Sequence, residues 1–206
     1  MTAAAQSSTR LTQPYAWLKP GVFAGSLIPL AVLILEAVRG RLGADPVAIA
    51  LNRLGLLALI MLLASLSATP LRLVFGWSWP LRLRRMLGLF AFFYASLHFL
   101  VYAGVDQGFA WSAIVADIAK RPFITVGFCA LCILVPLAAT SPMRVRRKLG
   151  PLRWQRLHRL VYLAGILASV HFIWRVKRDM SEPLMYAAVL AVLLFVRLKR
   201  RAGRAG

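Results

Sequence analysis

The chain has 206 residues, 60% of them hydrophobic, with a mean hydropathy of +0.72. Soluble domains are only about half apolar, so the composition excludes an ordinary soluble globule and makes this an integral membrane protein. The 26 Lys and Arg against 6 Asp and Glu give a net charge of +20, but the basic residues stand in short patches between apolar runs. That is the pattern of membrane loops and not of a nucleic-acid-binding face.

The first segment, 1–19, is polar and is not followed by a small-residue cleavage site, so the span after it is expected to act as an uncleaved anchor. A bilayer span needs about 20 mostly apolar residues. Six segments qualify, at 20–38, 48–69, 85–104, 122–140, 155–175 and 183–198. The expected fold is an all-α integral membrane protein, a six-transmembrane-helix bundle over 20–198 with a basic tail at 199–206. The second span begins awkwardly, with Asn52 and Arg53 near its start. The third holds His98. The fourth holds Cys129 and Cys132 in the run CALC, without a turn or polar neighbour; these read as small membrane-helix residues, since a thiol in hydrocarbon stays protonated. The fifth holds His158 and His171. Turn signals separate the spans: GADP at 43–46, FGWSWP at 75–80, SP at 141–142, GP at 150–151 and EP at 182–183. No soluble domain and no internal repeat is evident.

Charge sets the orientation. With the N-terminus in the cytoplasm, 18 of the 26 basic residues fall on that side, and all 6 acids fall on the other. The excess of Lys and Arg on one side predicts that both termini are cytoplasmic. The inner patches include Arg84, Arg85 and Arg153, for which ordinary cytoplasmic-side charge is a sufficient reading. Arg53, set into the outer end of the second span, is odder.

Histidines inside a membrane are costly and mark functional sites. At 1.5 Å per residue, His98 lies ~20 Å and His171 ~24 Å from the cytoplasmic edge, while His158 lies close to that edge. Two neutral imidazoles at one depth on different helices are the usual grip on a b-type haem. Zinc or copper would ask for further His, Cys or carboxylate ligands, and these spans hold none. Phe92, Phe93, Tyr94, Phe99, Tyr162 and Phe172 would suit the walls around a macrocycle, or serve as plain packing. His158 and His171 are 13 residues apart, an offset of about 220° on an ideal helix. Either His158 serves a different site or the helix near Gly165 is irregular.

The stretches RRMLGLFAFFYASLHFLVY (84–102) and WQRLHRLVYLAGILASVHFIW (154–174) resemble the ferric reductase-like transmembrane family. The likeness is closest to its branch of haem-binding membrane subunits of periplasmic methionine sulfoxide reductases. LGADP (42–46), TPLR (69–72), RP (121–122) and RKLG (147–150) extend it over nearly the whole chain. The family suspends one haem in each leaflet on two pairs of histidines. The resemblance implies that His98 and His171 are the axial ligands of an outer haem b and that His158 is one inner ligand. At the remaining inner position the chain has Arg84 or Arg85, and arginine is a poor iron ligand because it stays protonated. The inner cofactor is thus a second haem with an unidentified partner ligand, or FMN, which the resemblance also implies. Arg84, Arg85 or Arg153 could then bind a propionate or a phosphate, and Arg53 a haem propionate.

The implied role is electron transfer through the inner membrane. The donor would be a cytoplasmic flavin reductase or membrane quinol. The acceptor would be a periplasmic molybdopterin subunit, MsrP, which reduces oxidised methionines; its docking would fall on the outer loops around 105–121 and 176–182. No GxGxxG unit for a nicotinamide cofactor is found, so an external donor is expected, and no sulfoxide-reducing site is expected in the chain itself. Three other readings stand beside this one. A stand-alone ferric reductase or superoxide-generating cytochrome b would act without a partner. A histidine-relay transporter or channel would carry no colour. A purely structural subunit would use the histidines for packing alone.

Overall fold

The structure is a computed structural model describing residues 17–177 and 179–202, with side chains as far as Lys199. Arg10, Arg178 and Arg204, and the side chains of Arg200 and Arg201, which entered the charge count above, lie outside the described residues. Among the described residues there is helix and no strand. The helices are α1 (Leu18–Val38), α2 (Pro46–Phe75), α3 (Trp79–Leu100), α4 (Trp111–Lys120), α5 (Pro122–Ala139), α6 (Met143–Leu149), α7 (Pro151–His158), α8 (Leu160–Arg175) and α9 (Ser181–Ala202). A π-helical turn, Val101–Asp106, continues α3.

Six helical segments are long and apolar enough to cross a membrane: Leu18–Val38, Pro46–Phe75, Trp79–Asp106, Pro122–Ala139, Pro151–Arg175 and Ser181–Lys199. They coincide with the six expected spans, with differences at the ends. α2 starts where Asp45 caps it, its carboxylate accepting from the Ala48 amide at 2.9 Å, with Pro46 at the first helical position. It runs on past Pro70 and stops at Gly76, whose φ of 74° is the left-handed conformation that closes a helix. α9 continues to Ala202, so the segment expected as a tail from 199 begins as helix.

The fifth span is not one helix. α7 and α8 meet at Arg159. Of the two alternatives for the His158–His171 offset, an irregularity near Gly165 is absent; Gly165 is buried inside a regular α8, against Leu190 and Leu66. The third span is irregular too. Its π turn sits just after His98, and Gly104 within it lacks the side chain that would collide with the Phe109 ring 2.8 Å away. Phe109 itself takes a φ of 56°, outside the ordinary range for a bulky residue.

α2 is the axis of the bundle. Leu59, Leu62, Leu63 and Leu66 on one stretch of it pack with Ala91 of α3, Leu134 of α5, Ala164 of α8 and Leu190 of α9. A second cluster joins α1 to α2 and α3 through Leu33, Leu54, Phe90 and Tyr94. Apolar side chains on the outer faces, such as Ile28, Val135 and Phe195, stay exposed, as lipid-facing residues do. Hydroxyls tie helices together at the few polar positions. Tyr94 donates to the Ser26 carbonyl at 2.5 Å, and Ser65 to the Arg84 carbonyl at 2.8 Å.

Candidate functional site

His98 lies in the last turn of α3 and His171 in the last turns of α8. The bundle brings these two rings together, with centroids 6.2 Å apart and planes at 80°. Each ring is oriented by a backbone carbonyl of a neighbouring helix. Nδ1 of His98 donates to the Leu51 carbonyl of α2 at 2.9 Å, and Nδ1 of His171 to the Phe123 carbonyl of α5 at 2.7 Å. A carbonyl only accepts, so both Nδ1 atoms carry the proton and both Nε2 atoms are bare nitrogens able to coordinate a metal.

This pair fits one iron. A metal–nitrogen bond of about 2 Å plus about 1 Å from nitrogen to ring centre, on each side, gives a centroid separation of about 6 Å. The surroundings fit a macrocycle as well. The two histidines line a cavity of about 290 Å³ between α2, α3, α5 and α8, walled by apolar residues such as Leu59, Phe99, Phe128 and Phe172. Among the described residues no group of three or more His, Cys, Asp or Glu is placed to hold a metal ion without such a macrocycle.

One end of the cavity is polar. Asn52, Tyr102, Asp106, Arg121 and Arg175 line it. Arg175 donates to the Asn52 side-chain oxygen. The Tyr102 hydroxyl donates to Asp117 at 3.1 Å, and Asp117 pairs with Arg121 at 3.1 Å. Arg121 and Arg175 thus bring two guanidinium groups to this end of the cavity. Arg53 lies elsewhere: it forms an ion pair with Glu36 of α1 and is not among the residues lining the cavity.

His158 is at the opposite end of the bundle, beside the C-terminus of α5. Its Nε2 is 3.0 Å from the Thr140 hydroxyl, and its ring stacks on Trp154 at 4.0 Å. Trp154 donates to the Thr140 carbonyl at 3.0 Å, and the Arg146 guanidinium lies 4.6 Å above the indole. Arg84 and Arg146 bring positive charge to the neighbourhood of His158. Arg85 turns to Ser141, donating to its hydroxyl at 3.0 Å. So the structure brings His98 and His171 together and holds His158, Arg84 and Arg85 apart from them.

Of the aromatic residues suggested as walls, Phe99 and Phe172 line the cavity. Phe92 packs against the core, Phe93 is exposed, Tyr94 is buried between α1 and α3, and Tyr162 accepts from Arg197 at 2.6 Å. Sequence reasoning missed the two carbonyls, which carry no sequence signal, and Arg175, which reads as a plain basic residue at a span end. It also missed Gly55 and Gly127, against which the two imidazoles pack.

A multi-span helical protein that aims two oriented imidazoles into an apolar cavity has the architecture of a membrane cytochrome. Residues 51–169 match the family described as ferric reductase like transmembrane component. The chain belongs to that family. It is 54% identical over 189 residues to a Rhodospirillum rubrum protein, covering 89% of this chain and 91% of that one. It is 50% identical over 193 residues to a Deinococcus radiodurans protein, covering 94% and 95%, and 47% identical over 175 residues to one from Ralstonia nicotianae, covering 84% and 81%. Each of the three is named protein-methionine-sulfoxide reductase heme-binding subunit MsrQ.

Proposed function

We propose that this chain is the haem-binding electron-transfer subunit of a methionine sulfoxide reductase system, and that His98 and His171 hold a b-type haem. The observation that carries the proposal is the matched orientation of the two rings, each with Nδ1 on a carbonyl and its centroid 6.2 Å from the other. The names of the relatives point the same way. The haem supplies a one-electron carrier inside the hydrocarbon. The protein fixes both imidazoles, excludes water with apolar walls, and offers Arg175 and Arg121 to the haem carboxylates.

The inner cofactor, a second haem on His158 or an FMN near Arg84 and Arg85, belongs to the opposite end. With both termini in the cytoplasm, that end faces the donor, a cytoplasmic flavin reductase or the quinol pool. The His98–His171 end then faces the periplasm and MsrP. The bilayer concerned is the bacterial inner membrane.

The test is the reduced-minus-oxidised visible spectrum of the detergent-purified protein, with haem quantified per chain. A b-type spectrum that disappears in His98→Ala and in His171→Ala is the expected result. A colourless wild type, prepared with adequate haem supply, would overturn the proposal. Electron transfer is tested separately, by reoxidation of the reduced protein on adding MsrP; rapid reduction of ferric chelates without any partner would favour the stand-alone reductase.

A further inference from the structure

The two imidazoles are held by the same local device, used twice. The Leu51 carbonyl that receives His98 precedes Gly55 by four residues, and the Phe123 carbonyl that receives His171 precedes Gly127 by four. In an α-helix the carbonyl at i−4 is the one that accepts the amide of residue i. Each imidazole therefore lies over the backbone of one helical turn, with its Nδ1–H aimed at that turn's carbonyl. Such an approach leaves little or no room for a side chain on the residue at the end of the turn. A methyl group on Gly127 would stand 2.7 Å from Nδ1 of His171, 2.9 Å from Cε1 and 3.0 Å from Cγ. One on Gly55 would stand 3.2 Å from Nδ1 of His98 and 3.3 Å from Cε1. The first spacing is not tolerated by any ordinary contact, and the second requires the ring to give by a few tenths of an ångström.

We infer that Gly55 and Gly127 are positioning residues for the haem ligands, each a notch that lets a backbone carbonyl fix the ring plane and the protonated nitrogen of one histidine. The inference rests on the haem reading above. Glycine in a helix interior costs about 1 kcal/mol relative to alanine, and packing of two helices alone would accept alanine as a small residue. Here the close neighbour is not a helix backbone but the ligand ring itself. A ligand whose Nδ1–H is hydrogen-bonded is the more basic, and loss of such a partner weakens metal affinity by about 10–100-fold.

The experiment compares Gly127→Ala, Gly55→Ala and Gly25→Ala in the full-length, haem-loaded protein. Gly25 lies on α1 with no atom within 4 Å of an added methyl group, and serves as the control. Haem affinity, the midpoint potential and the electron paramagnetic resonance g-values of the ferric haem are measured. Gly127→Ala is expected to lose about 10–100-fold in haem affinity, to raise the potential as the ligand becomes less basic, and to shift the g-values as the ring planes turn. Gly55→Ala changes the same quantities in the same direction by less, and Gly25→Ala leaves them at wild-type values. If Gly127→Ala does not accumulate in the membrane, Gly55→Ala decides alone. Glycine variants with wild-type affinity, potential and g-values overturn the inference, as do variants that lose thermal stability while these three stay fixed. A colourless wild type instead defeats the haem reading itself, so the two failures are distinct.

Discussion

Arg175 lies one helical turn beyond His171 and donates a hydrogen bond to Asn52 across the α8–α2 interface. Residues four apart on a helix share a face, so the ring that would ligate iron and the guanidinium that would meet a haem carboxylate are aimed into one cavity. Asn52 holds the guanidinium without neutralising it. Hydrogen bonds to charged groups contribute about 1.5–3 kcal/mol, and each 1.4 kcal/mol is tenfold in affinity. Arg175→Leu is therefore expected to weaken haem binding by about 10–100-fold, and to lower the midpoint potential because a positive charge near the iron no longer opposes the ferric state. Asn52→Ala keeps the charge and costs less. Titration of haem into the apoprotein, with redox potentiometry of what binds, measures both; an Arg175→Leu protein with wild-type affinity and potential places the carboxylates elsewhere.

His158 makes its contacts at the other end of the bundle, with Trp154 and Thr140. His158→Ala is accordingly expected to leave the absorbance and g-values of the His98–His171 haem unchanged. Any fall in haem per chain then measures an inner haem, and a fall in bound flavin measures the alternative. Loss of the whole visible spectrum in this variant would mean that the ligand pairing runs through His158 instead.

Tyr94 tests how α1 is attached. Its hydroxyl is buried and donates to the Ser26 carbonyl, linking α3 to α1. Hydrogen bonds between helices within a membrane average about 0.6 kcal/mol and reach about 1.7. Tyr94→Phe should lower the unfolding free energy in detergent by an amount within that range, with the haem spectrum intact, because the cavity is lined from other faces of α3. A spectral change would show that α1 also governs the haem site.

The six spans were legible because some 20 consecutive apolar residues make a strong, local signal, and the histidines were legible because a polar residue within such a run stands out. What escaped the sequence depends on tertiary contact. Gly55 and Gly127 look like the small residues that membrane helices use freely; their role shows only when an imidazole is found against each. Leu51 and Phe123 act through backbone atoms that every residue has. The joint at Arg159 is marked by no proline or glycine at that position. It follows directly on His158, whose ring stacks on Trp154 and meets the Thr140 hydroxyl, so the last turn of α7 is tied to the end of α5. Arg53 stood out in the sequence for the right reason, a charge within a span end, but Glu36 of α1 is its partner.

Orientation is open to a direct chemical test. The asymmetry of 18 basic residues against 8 predicts a cytoplasmic N-terminus, which would put the exposed residues Gly108 to Trp111 outside and the basic stretch Met143 to Lys148 inside. Cys129 and Cys132 are exposed on α5 within a span, and replacing both with alanine is expected to leave the haem spectrum unchanged. On that background, Ser112→Cys should react with a membrane-impermeant maleimide added to intact spheroplasts, and Arg147→Cys only after the membrane is opened. The reverse pattern would turn the bundle over. It would place the His98–His171 pair at the cytoplasmic face, and an electron leaving that pair could not reach a periplasmic reductase without recrossing the ~30 Å of hydrocarbon.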